Sequence, residues 1–272
     1  MKFKHPQLSF AEPQVMGILN VTPDSFSDGG KFNHLDAALT QAEQMIADGA
    51  AILDIGGEST RPGAEEVPEH IELERVIPII EALHSRFDTV LSIDTSKAVV
   101  VKEAVTAGAS LINDVCALRQ EGALQAAAES EAAICLMHMQ GKPRTMQTAP
   151  TYGDVIAEVK DFLQERIEAC EQAGIDKSRL IVDPGFGFGK TLEHNCELLA
   201  RVDEFSSLNV PILVGVSRKS MFGDLLGREV HERLTPSVVA AVLAAQKGAA
   251  ILRVHDVRET VDALKLLKVT QR

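Results

Sequence analysis

The chain has 272 residues, of which 45% are hydrophobic, so it can bury a large core in one barrel-sized domain or in two smaller ones. Its 27 basic and 39 acidic residues leave a net charge of −12, which argues against binding to a nucleic-acid backbone. No stretch reaches the roughly 18 consecutive apolar residues of a membrane helix, and the polar amino terminus is unlike a secretory signal.

The chain has four cysteines, Cys116, Cys135, Cys170 and Cys196. None belongs to a CxxC pair, and none stands beside a histidine at zinc-ligand spacing. We therefore predict reduced, mostly buried thiols and a cytoplasmic protein.

Eight short apolar runs, each ending at a polar residue or at glycine, are spread along the chain. The residues at which they end are, in chain order, Asn20, Asp54, Asp94, Asn113, His138, Asp183, Gly215 and Arg253. A strand buried on both faces reads as a continuous apolar run, and the carboxyl ends of parallel strands carry the chemistry of α/β folds. This pattern predicts an enzyme whose site is assembled from many segments.

Helical periodicity predicts seven helices between these runs. They cover residues 35–47, 71–86, 97–107, 152–172, 192–201, 236–247 and 257–267. Pro78 falls inside the second, so we expect that helix to be kinked or to begin later. About eight βα units predict a single (β/α)8 TIM barrel over residues 1–272, with an open doubly wound sheet as the alternative.

Three connections, residues 21–34, 55–70 and 139–150, are longer than a structural loop requires. Long loops after barrel strands commonly close over an active site, which we expect of the loops after strands 1 and 2. The alternative, a disordered connection, fits the third better than the first two.

A glycine-rich segment at residues 184–191 resembles a phosphate-binding loop, but Pro184 stands where that motif needs glycine. We predict instead a turn that brings the backbone close to a ligand, with Phe186 and Phe188 as apolar walls.

Two carboxylates and one amide are predicted to lie together at the mouth. Asp94 and Asp183 could act as general acid and base, or they could bind a flat, nitrogen-rich ring together with Asn113. A structural alternative for Asp94 is to cap the helix that follows Thr95.

Basic residues also follow the predicted strands. Arg61 lies in the second long loop, Arg218 and Lys219 follow the seventh strand, and Arg253 and His255 follow the eighth. Loops after barrel strands 7 and 8 commonly bind phosphate, so these residues predict an anion site.

Hydroxyl and amide groups add to this prediction. Ser217 and Ser220 could donate to the anion near the start of the next helix. Asn20 could bind Mg²⁺, which accepts few protein oxygens and keeps its waters. His138 has no partner at metal-ligand spacing and is predicted to be structural.

The combined segments resemble the dihydropteroate synthase family, the folate-pathway enzymes that sulfonamides inhibit. The matching segments follow the family's order and are residues 17–30, 54–63, 92–95, 112–114, 183–190, 215–220 and 253–256. The resemblance implies a bacterial, monofunctional TIM barrel that joins a pterin diphosphate to p-aminobenzoate with loss of pyrophosphate. It also implies Mg²⁺, a homodimer and no nucleic-acid or membrane partner.

The resemblance assigns roles residue by residue. The residues implied to bind the pterin are Asp94, Asn113, Met137, Asp183, Gly215, Lys219 and Arg253. Those implied to surround p-aminobenzoate are Phe26, Thr60, Pro62, Phe188, Ser217 and Lys219. Those implied to bind the diphosphate are Asn20, Arg61, Ser220, Arg253 and His255. Asn20 is also implied to bind the metal. The implied catalytic residues are Arg61, Asp94, Lys219, Arg253 and His255.

The resemblance and the charge layout together favour an SN1-like substitution through a pterin cation. Two rival functions remain. One is a pterin-binding barrel that transfers methyl groups with a corrinoid protein, which the anion cluster argues against. The other is a paralogue that binds pterin without condensing it, which the presence of Phe26, Thr60 and Arg61 argues against.

Overall fold

The structure, a computed structural model, describes residues 9–22, 31–59, 64, 66–141 and 146–270, with 31–34 as helix backbone only. Eight parallel strands form one sheet. They are β1 Gln14–Asn20, β2 Ile52–Gly56, β3 Val90–Asp94, β4 Leu111–Asp114, β5 Ala133–Met137, β6 Leu180–Asp183, β7 Leu213–Val214 and β8 Ile251–Val254. Each predicted run therefore supplies a strand.

The sheet closes into a barrel. The strands follow the order β6-β5-β4-β3-β2-β1-β8-β7, which leaves β6 and β7 at the two ends. A parallel bridge between Val182 and Ile212 joins those ends, and the Val182 amide donates to the Pro211 carbonyl at 3.0 Å. The TIM-barrel prediction is confirmed, and the open-sheet alternative is wrong because the end strands meet.

Helices surround the barrel. Within the described residues they are α1 Lys31–Ala47, α2 Glu69–Arg86, α3 Ala98–Ala107, α4 Ala123–Ala128, α5 Val155–Gln172, α6 Leu192–Ala200, α7 Met221–Leu226, α8 Leu234–Gln246 and α9 Val257–Thr270. The seven predicted helices are present, but α4 and α7 were missed because six residues do not complete a recognisable period. None of the helices in the described part of the chain is long and apolar enough to cross a membrane.

Helix α2 differs from its prediction. It begins at Glu69, earlier than expected, and it continues through Pro78 to Arg86. Its buried residues, including Val76, Ile80 and Leu83, lie on both sides of the proline in sequence. Packing of this apolar face against the sheet outweighs the hydrogen bond that proline removes from the helix.

The barrel has two apolar layers. The outer layer lies between strands and helices and contains most of the buried aliphatic residues. The inner layer fills the barrel with residues that are fully buried: Met16, Ile52, Val90, Leu111, Ala133, Cys135, Ile181, Leu213 and Ile251. Because the interior is filled at this level, a ligand can enter only above it, at the carboxyl ends of the strands.

Candidate active site

The next inward-facing layer, towards the carboxyl ends of the strands, is polar. Side chains alternate along a strand, so residues two positions apart point to the same side. Asp54 follows Ile52 on β2 in this way, and Arg253 follows Ile251 on β8. The other polar residues of this layer are Ser92, Asn113 and Asp183. The transition from apolar to polar layers marks the floor of the candidate site.

Asp54 is the centre of this polar layer. It is completely buried and accepts hydrogen bonds from Ser92 Oγ at 2.6 Å and Asn113 Nδ2 at 3.0 Å. Its Oδ2 also accepts from Arg253 Nε at 2.6 Å. A buried carboxylate is tolerated when it is paired and hydrogen-bonded, and both conditions hold here. Asp54 thus fixes the orientation of Asn113 and Arg253.

Arg253 links two carboxylates from different strands. Besides its bond to Asp54, its Nη2 lies 2.6 Å from Asp94 Oδ2. Burial lowers the pKa of Arg253, but the Asp54 and Asp94 carboxylates outweigh burial and raise it above its ordinary value. The guanidinium therefore keeps its charge at the base of the cleft.

Asp94 has one carboxylate oxygen available to a ligand. Its Oδ1 is buried and has no hydrogen-bond partner among the described residues. Burial raises the pKa of Asp94 to about 7, although the charge of Arg253 lowers it. The capping residue of α3 is Lys97, whose side chain makes no capping bond, so Asp94 does not cap that helix. A buried acceptor without a partner calls for a ligand N–H group.

Asp183 ends β6 on another side of the cleft. It is 5% exposed, and its Oδ1 accepts from the Gly185 amide at 2.7 Å. Burial raises the pKa of Asp183, while this hydrogen bond and the charge of Lys219 lower it. The backbone turn after β6 therefore holds the carboxylate in a defined orientation.

A cleft lies between these polar groups and a partly apolar wall. It is lined by Asp94, Asn113, Val115, Met137, Asp183, Phe186, Phe188, Gly215, Lys219 and Arg253. Lys219 Nζ lies 4.3 Å from the centre of the Phe188 ring. Burial and the charge of Arg253 lower the pKa of Lys219 to about 8. An apolar wall opposite hydrogen-bonding groups suits a flat heterocycle.

Ser217 and His255 lie together after β7 and β8. Ser217 Oγ is 3.0 Å from His255 Nδ1 and accepts from the His255 amide at 3.1 Å. Ser220 is exposed and directly precedes α7.

Asn20 ends β1, close to Asp94 at the end of β3. A β-carbon on Gly56 would lie 3.8 Å from Asn20 Oδ1 and 3.7 Å from Asp94 Oδ2, so the two polar atoms face the same space. At the mouth of the cleft, the amide oxygen of Asn20 therefore lies near the Asp94 carboxylate.

Arg218 does not join Lys219 in this cleft. It forms an ion pair with Asp256, including a 3.1 Å contact from Nε to Oδ2, and its backbone takes a φ of +56°. The prediction that Arg218 contributes to the anion cluster is wrong, because Asp256 neutralises its charge. Among the described residues, the cations that line the cleft are Lys219 and Arg253.

Four predicted ligand-binding residues, Phe26, Thr60, Arg61 and Pro62, lie outside the described residues. Within residues 9–22, 31–59, 64, 66–141 and 146–270, no group of three or more His, Cys, Asp or Glu side chains could hold a metal. The four cysteines are unpaired, and Cys196 is exposed.

Two polar residues near the cleft were missed in the sequence. Asp54 was identified as a strand-end residue but given no role, although it stands two positions after the apolar Ile52 on the same strand and so faces the barrel interior. Lys190 carried no comparable signal. It is buried beside His138, and only the folded loop brings the two together.

These features define the class of protein: a (β/α)8-barrel enzyme whose site lies at the carboxyl ends of the strands. The family model for pterin binding enzymes matches residues 16–255, which is most of the chain.

Relatives and solved structures narrow the class. Dihydropteroate synthase of Escherichia coli K12 is 57% identical over 263 residues, covering 97% of this chain and 93% of the relative. The Yersinia pestis dihydropteroate synthase, solved with a sulfonamide drug complex, has a TM-score of 0.96 and 54% identity, covering 100% of this chain and 98% of that one. The Xanthomonas albilineans enzyme in complex with 7,8-dihydropteroate has a TM-score of 0.89 and 51% identity, covering 97% and 95%. The chain belongs to the pterin-binding enzymes and, within them, to the dihydropteroate synthase family.

Proposed function

We propose that this protein condenses 6-hydroxymethyl-7,8-dihydropterin diphosphate with p-aminobenzoate, forming 7,8-dihydropteroate and pyrophosphate. The observation that carries the proposal is the unpartnered Oδ1 of Asp94, which lines one cleft with Asn113 and Asp183. A pterin ring presents N–H donors and ring acceptors in one plane. Two carboxylates and an amide match that pattern, and the dihydropteroate complex of the Xanthomonas relative supports it.

The pterin would bind within the cleft. Asp94, Asn113 and Asp183 would hydrogen-bond its polar edge, with charge-assisted bonds from the carboxylates. The side chains against its faces would be Met137, Lys219 and Arg253, with Gly215 leaving room for the ring.

The other reactants would bind towards the mouth. p-Aminobenzoate would lie against Phe188, Ser217 and Lys219, with Phe26, Thr60 and Pro62 from the long loops. The diphosphate would bind Asn20, Ser220, Arg253 and His255, with Arg61 from the second loop. Support comes from the Xanthomonas relative solved with 4-aminobenzoic acid.

Mg²⁺ is compatible with this arrangement. Asn20 Oδ1 supplies a hard oxygen facing the same space as Asp94, and Mg²⁺ needs few protein ligands when a diphosphate and waters complete its coordination. When bound with the diphosphate, the ion would neutralise charge on the leaving group.

The charges favour an SN1-like reaction. An aryl amine is neutral at physiological pH, so no strong base is needed to create the nucleophile. Arg253, His255 and Lys219 would stabilise the departing pyrophosphate, and the Asp94 and Asp183 carboxylates would stabilise positive charge on the pterin. Release of pyrophosphate in crystals soaked without p-aminobenzoate would support this order of events, and a concerted pattern of isotope effects would contradict it.

An endpoint assay tests the function. The protein, the pterin diphosphate, p-aminobenzoate and Mg²⁺ are combined, and dihydropteroate and pyrophosphate are measured together. We expect equal amounts of both products. Tight pterin binding without product would identify a non-catalytic paralogue. Methyl transfer from a methylated folate to a corrinoid protein, measured in a separate assay, would identify the methyltransferase. If the protein neither binds the pterin nor forms any product, all three functions are excluded.

We further propose that the protein is a cytoplasmic homodimer. Support for the dimer comes from apolar side chains on α7, α8 and the segment between them. Leu225, Leu226, Val230, Val239 and Leu243 are each between 42% and 56% exposed. Large apolar side chains exposed on segments that follow one another in the chain are consistent with an interface between copies of the chain. The unpaired cysteines suit a reducing compartment.

A further inference from the structure

Lys190 is a buried lysine that makes no ion pair with any described residue. It is 3% exposed and lies in the loop between β6 and α6. Its Nζ is 2.9 Å from the Gly185 carbonyl oxygen, 3.2 Å from the Phe188 carbonyl oxygen and 2.9 Å from His138 Nδ1. Burying a lysine without a carboxylate partner is costly, so these three contacts need an explanation.

The three contacts match the chemistry of an ammonium group. Burial lowers the pKa of Lys190 to about 7, although the charge of Asp183 raises it. In its protonated form the lysine has three N–H donors, which match the two carbonyl oxygens and His138 Nδ1. His138 can accept because burial and the nearby Lys190 charge lower its pKa to about 2, which leaves the ring neutral. His138 thus has two structural contacts: its Nδ1 lies 2.9 Å from Lys190 Nζ, and its backbone amide donates to Asp183 O at 2.9 Å.

The two carbonyls that Lys190 binds belong to residues of the cleft wall. The Gly185 amide, on the other side of that residue, donates to the Asp183 carboxylate. Phe188 places its ring against the Lys219 ammonium. One ammonium group thus holds both the residue that orients Asp183 and the aromatic residue of the wall.

The loop has little freedom to adopt another arrangement. Gly185 has a φ of +71°, and a β-carbon there would lie 1.9 Å from the His138 carbonyl oxygen. The Tyr152 hydroxyl donates to the Gly189 carbonyl at 2.8 Å. Gln147 donates to the Gly187 carbonyl. Side chains therefore bind four carbonyls of this loop, and Lys190 binds two of them.

We propose that Lys190 is a positioning residue for both substrates: its ammonium holds the loop after β6 so that Asp183 faces the pterin and Phe188 faces p-aminobenzoate. The substrate assignments rest on the proposed function, whereas the control of loop geometry does not. Lys190 itself does not line the cleft.

The test compares Lys190→Met, which removes the donors at similar length, with Lys190→Gln, which keeps two amide N–H donors for the carbonyls. Lys265→Met is the matched control, because Lys265 lies on α9 with a side chain 73% exposed. The readouts are the Kd of the pterin measured without p-aminobenzoate, the KM for p-aminobenzoate, and kcat. A fourth readout is the near-UV circular dichroism of the chain's single tyrosine, Tyr152, which is bonded to the same loop.

For Lys190→Met we expect a rise of roughly tenfold or more in both the pterin Kd and the p-aminobenzoate KM, since the loop loses the side-chain hydrogen bonds to the Gly185 and Phe188 carbonyls as well as the contact with His138. The tyrosine signal should change in the same variant. Lys190→Gln should lie between Lys190→Met and wild type, and Lys265→Met should match wild type.

The proposal is overturned if folded Lys190→Met matches Lys265→Met in all readouts, or if its kcat alone falls. If Lys190→Met does not fold, the same readouts are applied to Lys190→Gln, and a match to Lys265→Met or a fall in kcat alone overturns the proposal. Failure of both to fold would assign Lys190 to stability and overturn the proposal. If wild type neither binds the pterin nor forms product, the proposed function fails. An altered tyrosine signal in a folded Lys190 variant would then still support control of the loop, and an unaltered one would overturn it.

Discussion

Arg253 lies between two carboxylates, so this three-residue cluster has a net negative charge when both acids are ionised. The Nε and Nη2 atoms of Arg253 are each 2.6 Å from an oxygen, of Asp54 and Asp94 respectively. Asp54 has further partners in Ser92 and Asn113, but Asp94 Oδ1 has none among the described residues. The cluster is therefore complete on the Asp54 side and open to a donor on the Asp94 side.

Asp183→Asn should weaken binding of the pterin by roughly 1.5–3 kcal/mol, because the neutral amide replaces a charge-assisted contact to the ring. Isothermal titration with 6-hydroxymethylpterin measures the change. Asp262→Asn on α9, where the side chain is 65% exposed, is the control and should bind like wild type. Unchanged affinity in Asp183→Asn would show that Asp183 has only a structural role, as acceptor of the Gly185 amide.

Pterin binding should release a proton below neutral pH. The pKa of Asp94 in the free protein is raised to about 7, and a ligand N–H bonded to the carboxylate would lower it in the complex. Protonated Asp94 must therefore lose its proton before binding, so affinity should fall as pH falls through about 7, approaching tenfold per pH unit. Titrations in two buffers with different ionisation enthalpies detect the released proton.

The pH dependence has its own control. Asp94→Asn should bind weakly and without proton release between about pH 6 and pH 7, because the titrating group is gone. Equal proton release in wild type and variant would assign the titration to another group.

At the scale of elements, Lys97 joins three segments of the barrel. Its Nζ contacts Glu72 of α2 at 2.6 Å, the Glu58 carboxylate in the connection after β2, and the Val67 carbonyl oxygen at 2.7 Å. Lys97 also directly precedes α3. One side chain thus ties the start of α3 to α2 and to both sides of the second long connection.

Lys97→Met should destabilise the protein by about 3–5 kcal/mol, because it leaves the fully buried Glu72 without its cation. Urea unfolding followed by circular dichroism measures this loss. Lys102→Met is the control on the same helix, since the Lys102–Glu129 pair is more than half exposed and should contribute little. A loss below about 1 kcal/mol in Lys97→Met would show that water or another group satisfies Glu72.

At the scale of the whole molecule, the apolar layer that stabilises the barrel and the polar layer that forms the site lie at different levels of its interior. The filled interior layer supplies apolar burial beneath the polar layer, and the helices cover the outside of the sheet. The exposed apolar surface of α7, α8 and the segment between them is the part of this outer layer that a second copy would cover.

Val239→Glu should convert the proposed dimer to a monomer, because it would place a charge in an apolar interface. Sedimentation velocity at micromolar concentration measures the state of each variant. Val99→Glu is the matched control, as Val99 is a similarly exposed valine on α3, at 43%. Wild type that sediments as a monomer, or a Val239→Glu variant that stays dimeric, contradicts the proposed interface.

Local pattern predicted much of the architecture. Each apolar run became a strand because all eight strands are covered on both faces, so burial appears directly in the sequence. The expectation that α2 would begin later because of Pro78 was wrong, because the apolar face of α2 is buried on both sides of the proline and packing outweighs local propensity. The short helices α4 and α7 carry too few residues for a period to emerge.

By itself, the sequence determined the eight βα units, the polar residues at the strand ends and the family resemblance, because each depends on neighbouring residues or on motif order. Only the tertiary structure decided that β6 meets β7, that Asp54 holds Asn113 and Arg253, that Arg218 pairs with Asp256, and that Lys190 lies against His138. Barrel closure brings together groups such as Asp54 and Arg253, 199 residues apart. Distances of this kind follow from packing, which no local pattern encodes.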